Sequence, residues 1–126
     1  MWIYKQSTGE LQQTRAEKSW GDIHRGYAGR DEGLNNPAMQ HVKNKGPLPC
    51  GFYTIGEVIV THPRLGVLVM ELVPDDSNEM FGRGDFFLHG RKSPTDLTAS
   101  LGCMIQDRRA RLKVAASDDK RLQVVP

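Results

Sequence analysis

The sequence predicts a mainly β domain with one or two short helices. Three observations support this prediction. Runs of aromatic and β-branched residues recur along the chain, and turn-forming residues separate them. In addition, only two segments have helical character. A chain of 126 residues is long enough for one apolar core and too short for two. We therefore expect a single domain over residues 1–126.

Six strands are expected. An opening hairpin pairs Trp2–Lys5 with Glu10–Arg15 across a turn rich in small polar residues. The other four predicted strands lie at 51–60, 65–73, 85–89 and 122–125. Residues 65–73 are apolar at nearly every position, which predicts a strand covered on both faces.

Two helices and one loop complete the prediction. Asn36 can cap a helix that has Pro37 at its first position and Gly46 beyond its end. Asp107 can cap a second helix, because the following residues include alanine, leucine, arginine and lysine, which favour helix. The polar segment 74–80 begins with proline and predicts an exposed loop between strands.

Composition narrows the class of protein. The chain is 38% hydrophobic and 25% charged with a formal net charge of +2, values typical of a soluble globular domain. Basic residues are scattered apart from Arg108, Arg109 and Arg111, so nucleic-acid binding is not expected. No run approaches the roughly 18 apolar residues of a membrane span, and the first residues do not resemble a signal peptide. We expect synthesis in the cytoplasm and no membrane span.

One histidine and one cysteine have the setting of a nucleophilic site. Cys103 lies fourteen positions after His89, and an imidazole near a thiol can withdraw its proton and stabilise the thiolate. Gly90 and Gly102 beside them permit tight turns, and the Gly90 carbonyl is a candidate to orient the ring. The N–H groups of Gly102 and Cys103 could hold an oxyanion, with the small Ser100 nearby.

Other readings of these residues remain open. Cys103 could be a buried apolar residue, and Cys50 could pair with it in a disulfide. A zinc site of His89, Cys103 and another histidine lacks the close-paired spacings typical of zinc, so no metal or other cofactor is expected. Arg83 could bind a substrate carboxylate or be a surface cation.

The motif HG at 89–90 followed by S-x-G-C at 100–103 resembles the signature of L,D-transpeptidase catalytic domains, although Leu101 stands where that family has histidine. A closer resemblance covers nearly the whole chain. The stretches WIYKQSTGEL, GYAG, NNPAMQHVKNKGPLP, GFYTIG, FGRGDFFLHG and ASLGCMI are similar to type VI secretion L,D-transpeptidase effectors. The resemblance implies a β-sandwich or barrel. Cys50 stands where a basic residue is expected.

The same resemblance implies an activity. Cys103 would attack the peptidoglycan tetrapeptide stem at the bond between diaminopimelate and D-alanine, and His89 would carry the proton. The products would come from removal of D-alanine or its exchange for another D-amino acid. Tyr53, Ser100, Arg83 and the 74–80 loop are candidates for the substrate groove.

The resemblance also implies partners and a place of action. These are peptidoglycan stems, an immunity protein, a component of the secretion machine and the periplasm of a target cell. Two alternative functions are a cysteine peptidase or amidase acting on ordinary L-peptides and a non-catalytic cell-wall-binding module.

Overall fold

The computed structural model describes residues 1–91 and 99–126. It contains nine strands: β1 (Trp2–Lys5), β2 (Glu10–Arg15), β3 (Lys18–Arg25), β4 (Tyr27–Ala28), β5 (Gly51–His62), β6 (Gly66–Pro74), β7 (Phe87–His89), β8 (Met104–Ile105) and β9 (Arg121–Val125). One α-helix, α1, spans Arg108–Ala116, and single turns of 3-10 helix lie at Asp31–Gly33 and Pro37–Met39. Within the described ranges, no helix is long and apolar enough to cross a membrane.

All nine strands form one mixed sheet in the order β3-β2-β1-β9-β5-β6-β7-β8-β4. The two outermost strands, β3 and β4, are separated in the chain only by Gly26, so the sheet must curl until its edges nearly meet. Gly26 donates its N–H to the Gly9 carbonyl at 2.9 Å. A side chain at Gly26 would come within 1.8 Å of the Ile105 carbonyl oxygen, so only glycine fits where the edges approach. The structure confirms the mainly β fold.

The core lies inside the curl of the sheet. Side chains alternate across each strand, and the inward ones form one apolar cluster that includes Tyr4, Leu72, Leu88 and Met104, all nearly inaccessible to solvent. Burial of each such side chain stabilises the fold by roughly 1.5–3 kcal/mol. The outward side chains of the same strands are available for other roles, and the candidate site is built from them.

The hairpin β1–β2 is confirmed with the predicted bounds, and strands form at all four of the other predicted places. The loop between β6 and β7 is also confirmed. The sequence did not indicate β3, β4 or β8. Seven of the eight β3 residues are exposed, so this strand lacks the apolar alternation that identifies a half-buried strand. The strands β4 and β8 have two residues each, too few for a pattern.

The prediction that the apolar strand β6 is covered on both faces is wrong. Val67 and Val73 are 51% and 44% exposed, whereas Val69, Met70 and Leu72 are buried. A bulge in β5 shifts the register between Ile55 and Val58. The outer face of the β5–β6 hairpin is therefore accessible to solvent near its ends. The apolar run in the sequence did not predict this exposure.

The two predicted helices have different outcomes. Asp107 caps α1, because its Oδ1 accepts the Ala110 N–H at 2.8 Å. Asn36 likewise accepts the Ala38 N–H at 3.1 Å, but the helix that it starts ends at Met39. The prediction of a helix extending towards Gly46 is therefore wrong. The buried Arg83 guanidinium, which binds the carbonyls of Gln40 and Gly46, supplies the reason.

Candidate active site

Strands β7 and β8 place His89 and Cys103 on one face of the sheet. The two strands are parallel, with Leu88 opposite Met104 and His89 opposite Ile105. Cys103 immediately precedes β8 and so lies beside Phe87, two residues along from His89. Because side chains alternate, His89, Phe87 and Cys103 all point away from the core that contains Leu88 and Met104.

These outward side chains line a cavity of about 280 Å³. This is near the lower limit of about 300 Å³ for small-molecule sites. Loops that cross the outer face of the sheet supply the remaining walls. The lining residues are Lys43, Asn44, Arg64, Leu65, Arg83, Gly84, Asp85, Phe86, Phe87, His89, Ala99, Leu101 and Cys103. Among the lining residues that the structure describes, three permanent cations accompany one carboxylate, which favours an anionic ligand.

Burial favours the protonated form of the Cys103 thiol. Burial raises its pKa, and a hydrogen bond from the Phe87 backbone and the charges of Arg64 and Arg83 oppose this effect without overcoming it. The thiol donates to the Asp85 carbonyl oxygen at 3.7 Å, and no hydrogen bond joins Sγ to the His89 ring. The cysteine and histidine therefore share a cavity as separate, uncharged groups.

The His89 ring is buried and held from one side. Its Nδ1 lies 2.9 Å from the Gly90 carbonyl oxygen, the contact expected of Nδ1–H donating to a backbone acceptor. Burial lowers the pKa of His89, and the charges of Arg111 and His62 lower it further, while the Gly90 contact opposes them. The neutral ring thus keeps Nε2 as its basic nitrogen.

Gly90 also allows a close approach from helix α1. A side chain at Gly90 would come within 2.6 Å of the Arg111 Nη2 atom. Arg111 is itself buried and donates to the carbonyl oxygens of Gln106 at 3.1 Å and Val67 at 2.9 Å. The carbonyl that contacts His89 therefore belongs to a residue packed between a strand and a helix, where it has little freedom to move.

Ser100 has a structural position rather than the predicted place in the substrate groove. Its hydroxyl is fully buried, donates to the Cys103 carbonyl at 2.7 Å, and accepts N–H groups from Gly29 at 2.9 Å and Gly102 at 3.0 Å. The predicted oxyanion role of the Gly102 N–H is corrected by the same contact, because that donor is already used. The N–H of Cys103 remains a prediction.

Arg83 is likewise not placed as a substrate ligand. Its guanidinium is almost fully buried and donates to four backbone carbonyls, those of Gln40, Gly46, Pro47 and Leu101. Its donors therefore hold two loops together beside Cys103. The contacts to Gln40, Gly46 and Pro47 require carbonyls to converge on one point, which explains why the segment after Met39 turns rather than continuing as a helix.

Tyr53 and the 74–80 loop lie away from the cavity. The Tyr53 hydroxyl is buried and donates to the Pro49 carbonyl at 2.6 Å, and burial raises its pKa. Neither Tyr53 nor any residue of the 74–80 loop lines the cavity. The described cavity therefore gives no support to either assignment. The Tyr53 side chain belongs to the inner face of β5, where it packs in the core.

One cavity residue absent from the predicted site follows from the strand pattern. Phe87 precedes His89 by two positions, and strand alternation alone would have placed it on the same face. Arg64 lies in the turn that joins β5 to β6, and only the tertiary structure brings this turn over Cys103. Lys43 lies in the segment between Met39 and Gly46, where the sequence predicts a helix and the structure has turns.

Cys50 lies apart from this site. Both cysteines are free, so there is no Cys50–Cys103 disulfide. The Cys50 thiol donates to the Gln6 side-chain oxygen at 3.3 Å, and burial raises its pKa. In the parts of the chain that the structure describes, no three histidine, cysteine or acidic side chains gather as metal ligands.

Comparison with known proteins identifies the family. A search of curated proteins found no match. The sequence model of the Tlde1 domain matches residues 22–126, which is more than four fifths of the chain and includes both His89 and Cys103. The chain therefore belongs to the Tlde1 domain family, a family of type VI secretion effectors of the L,D-transpeptidase type.

Proposed function

We propose that this protein is a cysteine-dependent acyltransferase that acts on the tetrapeptide stems of peptidoglycan. The observation that carries the proposal is the placement of Cys103 and His89 on the same face of the β7–β8 pair, in one cavity with an excess of positive charge. The tetrapeptide stem carries several carboxylates. Such a substrate suits this cavity better than a neutral peptide does.

In the first step, the Cys103 sulfur attacks the carbonyl carbon between the L-centre of diaminopimelate and D-alanine. Because both groups are neutral at rest, His89 Nε2 accepts the thiol proton as the S–C bond forms. This transfer requires the Cys103 side chain to rotate from the Asp85 carbonyl towards the ring. Unliganded sites often lack their catalytic hydrogen bonds. The imidazolium then gives the proton to the departing amine, and the C–N bond breaks.

The Gly90 carbonyl keeps His89 in the tautomer that this step needs. With Nδ1–H directed at that carbonyl, the lone pair is on Nε2, and the positive charge that forms transiently is stabilised by the same acceptor. We assign the oxyanion contact to the N–H of Cys103. Gly102 contributes through its backbone conformation, with φ of +133° in the turn before the nucleophile.

The second step resolves the thioester. Water gives the shortened stem, and a D-amino acid gives a stem with an exchanged terminal residue. In each case His89 takes a proton from the attacking group and returns one to sulfur, so the enzyme regains its starting state. As a type VI effector, the protein would act in the periplasm of a target bacterium, and the producing cell would need an immunity protein.

Mass spectrometry of stem products tests the proposal. The purified protein is incubated with a disaccharide tetrapeptide, with and without D-methionine, and separately with an all-L peptide of the same length. We expect loss of D-alanine or its replacement by D-methionine, and no change in the all-L peptide. Cleavage of the all-L peptide alone would indicate an ordinary cysteine peptidase.

Variants of the two cysteines separate catalysis from binding. Cys103→Ala should abolish both products while retaining the folded structure, and Cys50→Ser serves as the matched control with activity near that of the unaltered protein. His89→Ala should retain the thiol but react slowly. Binding of intact stems by the unaltered protein with no turnover would instead support a non-catalytic wall-binding module.

A further inference from the structure

We propose that Arg64 binds a D-amino acid carboxylate in both steps of the reaction. Before the thioester forms, it binds the carboxylate of the departing residue, and afterwards it binds the carboxylate of the incoming D-amino acid. The inference rests on the proposed function and deepens it. One residue would then determine two selectivities: for a C-terminal D-amino acid as the leaving group, and for a free D-amino acid as the acceptor.

Arg64 has the position that this role needs. It lies in the turn between β5 and β6 and lines the same cavity as Cys103 and His89. Its charge also reaches the sulfur, since it helps to lower the thiol pKa against the effect of burial. The carboxylate of a terminal amino acid is one carbon away from the amide nitrogen. A cation that lines the cavity of the nucleophile can therefore meet that carboxylate.

The guanidinium of Arg64 is available for a ligand. The residue is exposed, and within the described ranges no carboxylate or carbonyl accepts a hydrogen bond from its side chain. Arg83 in the same cavity differs, because its donors are used by four backbone carbonyls. An arginine fork matches a carboxylate with two parallel hydrogen bonds.

The turn that carries Arg64 is held in place relative to the catalytic strand. The His62 ring nitrogen Nδ1 accepts N–H groups from Arg64 and Leu65, each at 3.1 Å. The His62 ring also packs against the Phe87 ring in a T-shaped arrangement with centroids 5.3 Å apart. Phe87 is two residues before His89 on β7. Arg64 is thus preorganised at its backbone, which reduces the entropy cost of binding.

Among the described residues of the cavity, Lys43 is the other cation with an exposed side chain, and it is a weaker candidate. It lies on a different loop from Arg64, and the charge of Arg64 acts on the Cys103 thiol. Lys43 provides a comparison for the general effect of positive charge.

The double role has a consequence for the products. Water has no carboxylate, so hydrolysis of the thioester does not need Arg64, whereas attack by a D-amino acid does. Loss of Arg64 should therefore slow formation of the thioester and also shift its fate from exchange towards hydrolysis. General loss of positive charge would slow the first step without changing this partition.

The experiment compares carboxylate with carboxamide at two positions. Tetrapeptide stems ending in D-alanine or D-alaninamide are the donors, and D-methionine or D-methioninamide is the acceptor. For the unaltered protein we expect kcat/KM to be about 10- to 100-fold higher with the D-alanine donor, the range for one charge-assisted contact. Arg64→Gln should lose most of this preference, and its ratio of exchange to hydrolysis with D-methionine should fall about tenfold or more.

Three further variants complete the design. Arg64→Lys should recover part of the preference. Lys43→Gln should affect both donors by the same factor, and Arg15→Gln, an exposed arginine away from the cavity, controls for surface charge. Equal loss on both donors in Arg64→Gln, with an unchanged partition, would overturn the inference. Failure of the unaltered protein to turn over either donor would overturn the proposed function itself, and this inference with it.

Discussion

The buried hydroxyl of Ser100 donates a 2.7 Å hydrogen bond to the carbonyl of Cys103, the proposed nucleophile. The same oxygen accepts N–H groups from Gly29 and Gly102, so one small side chain fixes the turn before Cys103 and ties it to a distant loop. The sequence suggests Ser100 as a substrate ligand, but its hydrogen bonds instead hold the backbone conformation at Cys103.

Substitution Ser100→Ala should destabilise the protein by about 2–3 kcal/mol, because it leaves buried donors and an acceptor without partners. Activity measured well below the unfolding transition should also fall, since the turn loses its constraint. Urea unfolding and stem turnover measure the two effects. Ser19→Ala, at an exposed position on β3, is the control. Unchanged stability of Ser100→Ala would mean that these hydrogen bonds contribute nothing.

Replacement of the buried Arg83 should strongly destabilise the fold. Arg83→Met removes the donors of four backbone carbonyls, and we expect a loss of about 3–5 kcal/mol, the range for breaking a buried charged network. The midpoint of urea unfolding measures it. Arg108→Met, at an exposed position, should change it by less than about 0.5 kcal/mol. Full stability together with a selective rise in KM would restore Arg83 as a substrate ligand.

Alkylation of Cys103 should be slow at neutral pH and should accelerate in alkaline solution. Burial raises the thiol pKa, so the midpoint of the iodoacetamide rate should lie above the usual value of about 8.5. A Cys50→Ser background isolates the signal, and the same protein in urea gives the ordinary thiol for comparison. A rate that is already maximal near pH 7 would mean that the resting site contains a thiolate and imidazolium pair.

His89 should make the protein less stable in acid. Its pKa is lowered in the folded state, so the unfolded chain takes up the proton first as the pH falls below about 6.5. The contribution of the neutral ring is therefore fully present above that pH and is lost as the pH falls through the folded pKa. Urea unfolding at pH 8 and at pH 5 should show a larger difference for the unaltered protein than for His89→Gln. An equal difference in both would contradict the shift.

Local patterns in the sequence were sufficient for the elements that depend on local interactions. The hairpin β1–β2 and the Asp107 cap of α1 follow from turn residues and capping chemistry within a few positions. The placement of His89 at the end of a strand also followed from the apolar run before it. These predictions succeeded because each depended on neighbouring residues alone.

Predictions that depended on distant partners failed or were incomplete. The helix after Asn36 was cut short where Arg83, more than forty positions later, takes the carbonyls of Gln40 and Gly46. Tyr53 was a candidate for the groove, but its hydroxyl donates to the Pro49 carbonyl inside the core. The Gly102 N–H was expected to be available, and Ser100 occupies it.

The sequence by itself determined a mainly β chain, its family resemblance and the pair of residues most suited to nucleophilic chemistry, because residue type and short spacing carry that information. Tertiary structure alone decided that His89 and Cys103 share one face and one cavity, that burial raises the pKa of the thiol and lowers the pKa of the imidazole, and that Arg64 lines the same cavity. Strand register, burial and the meeting of distant loops fix these properties. They arise only when the sheet forms and brings these residues together in a partly buried cavity.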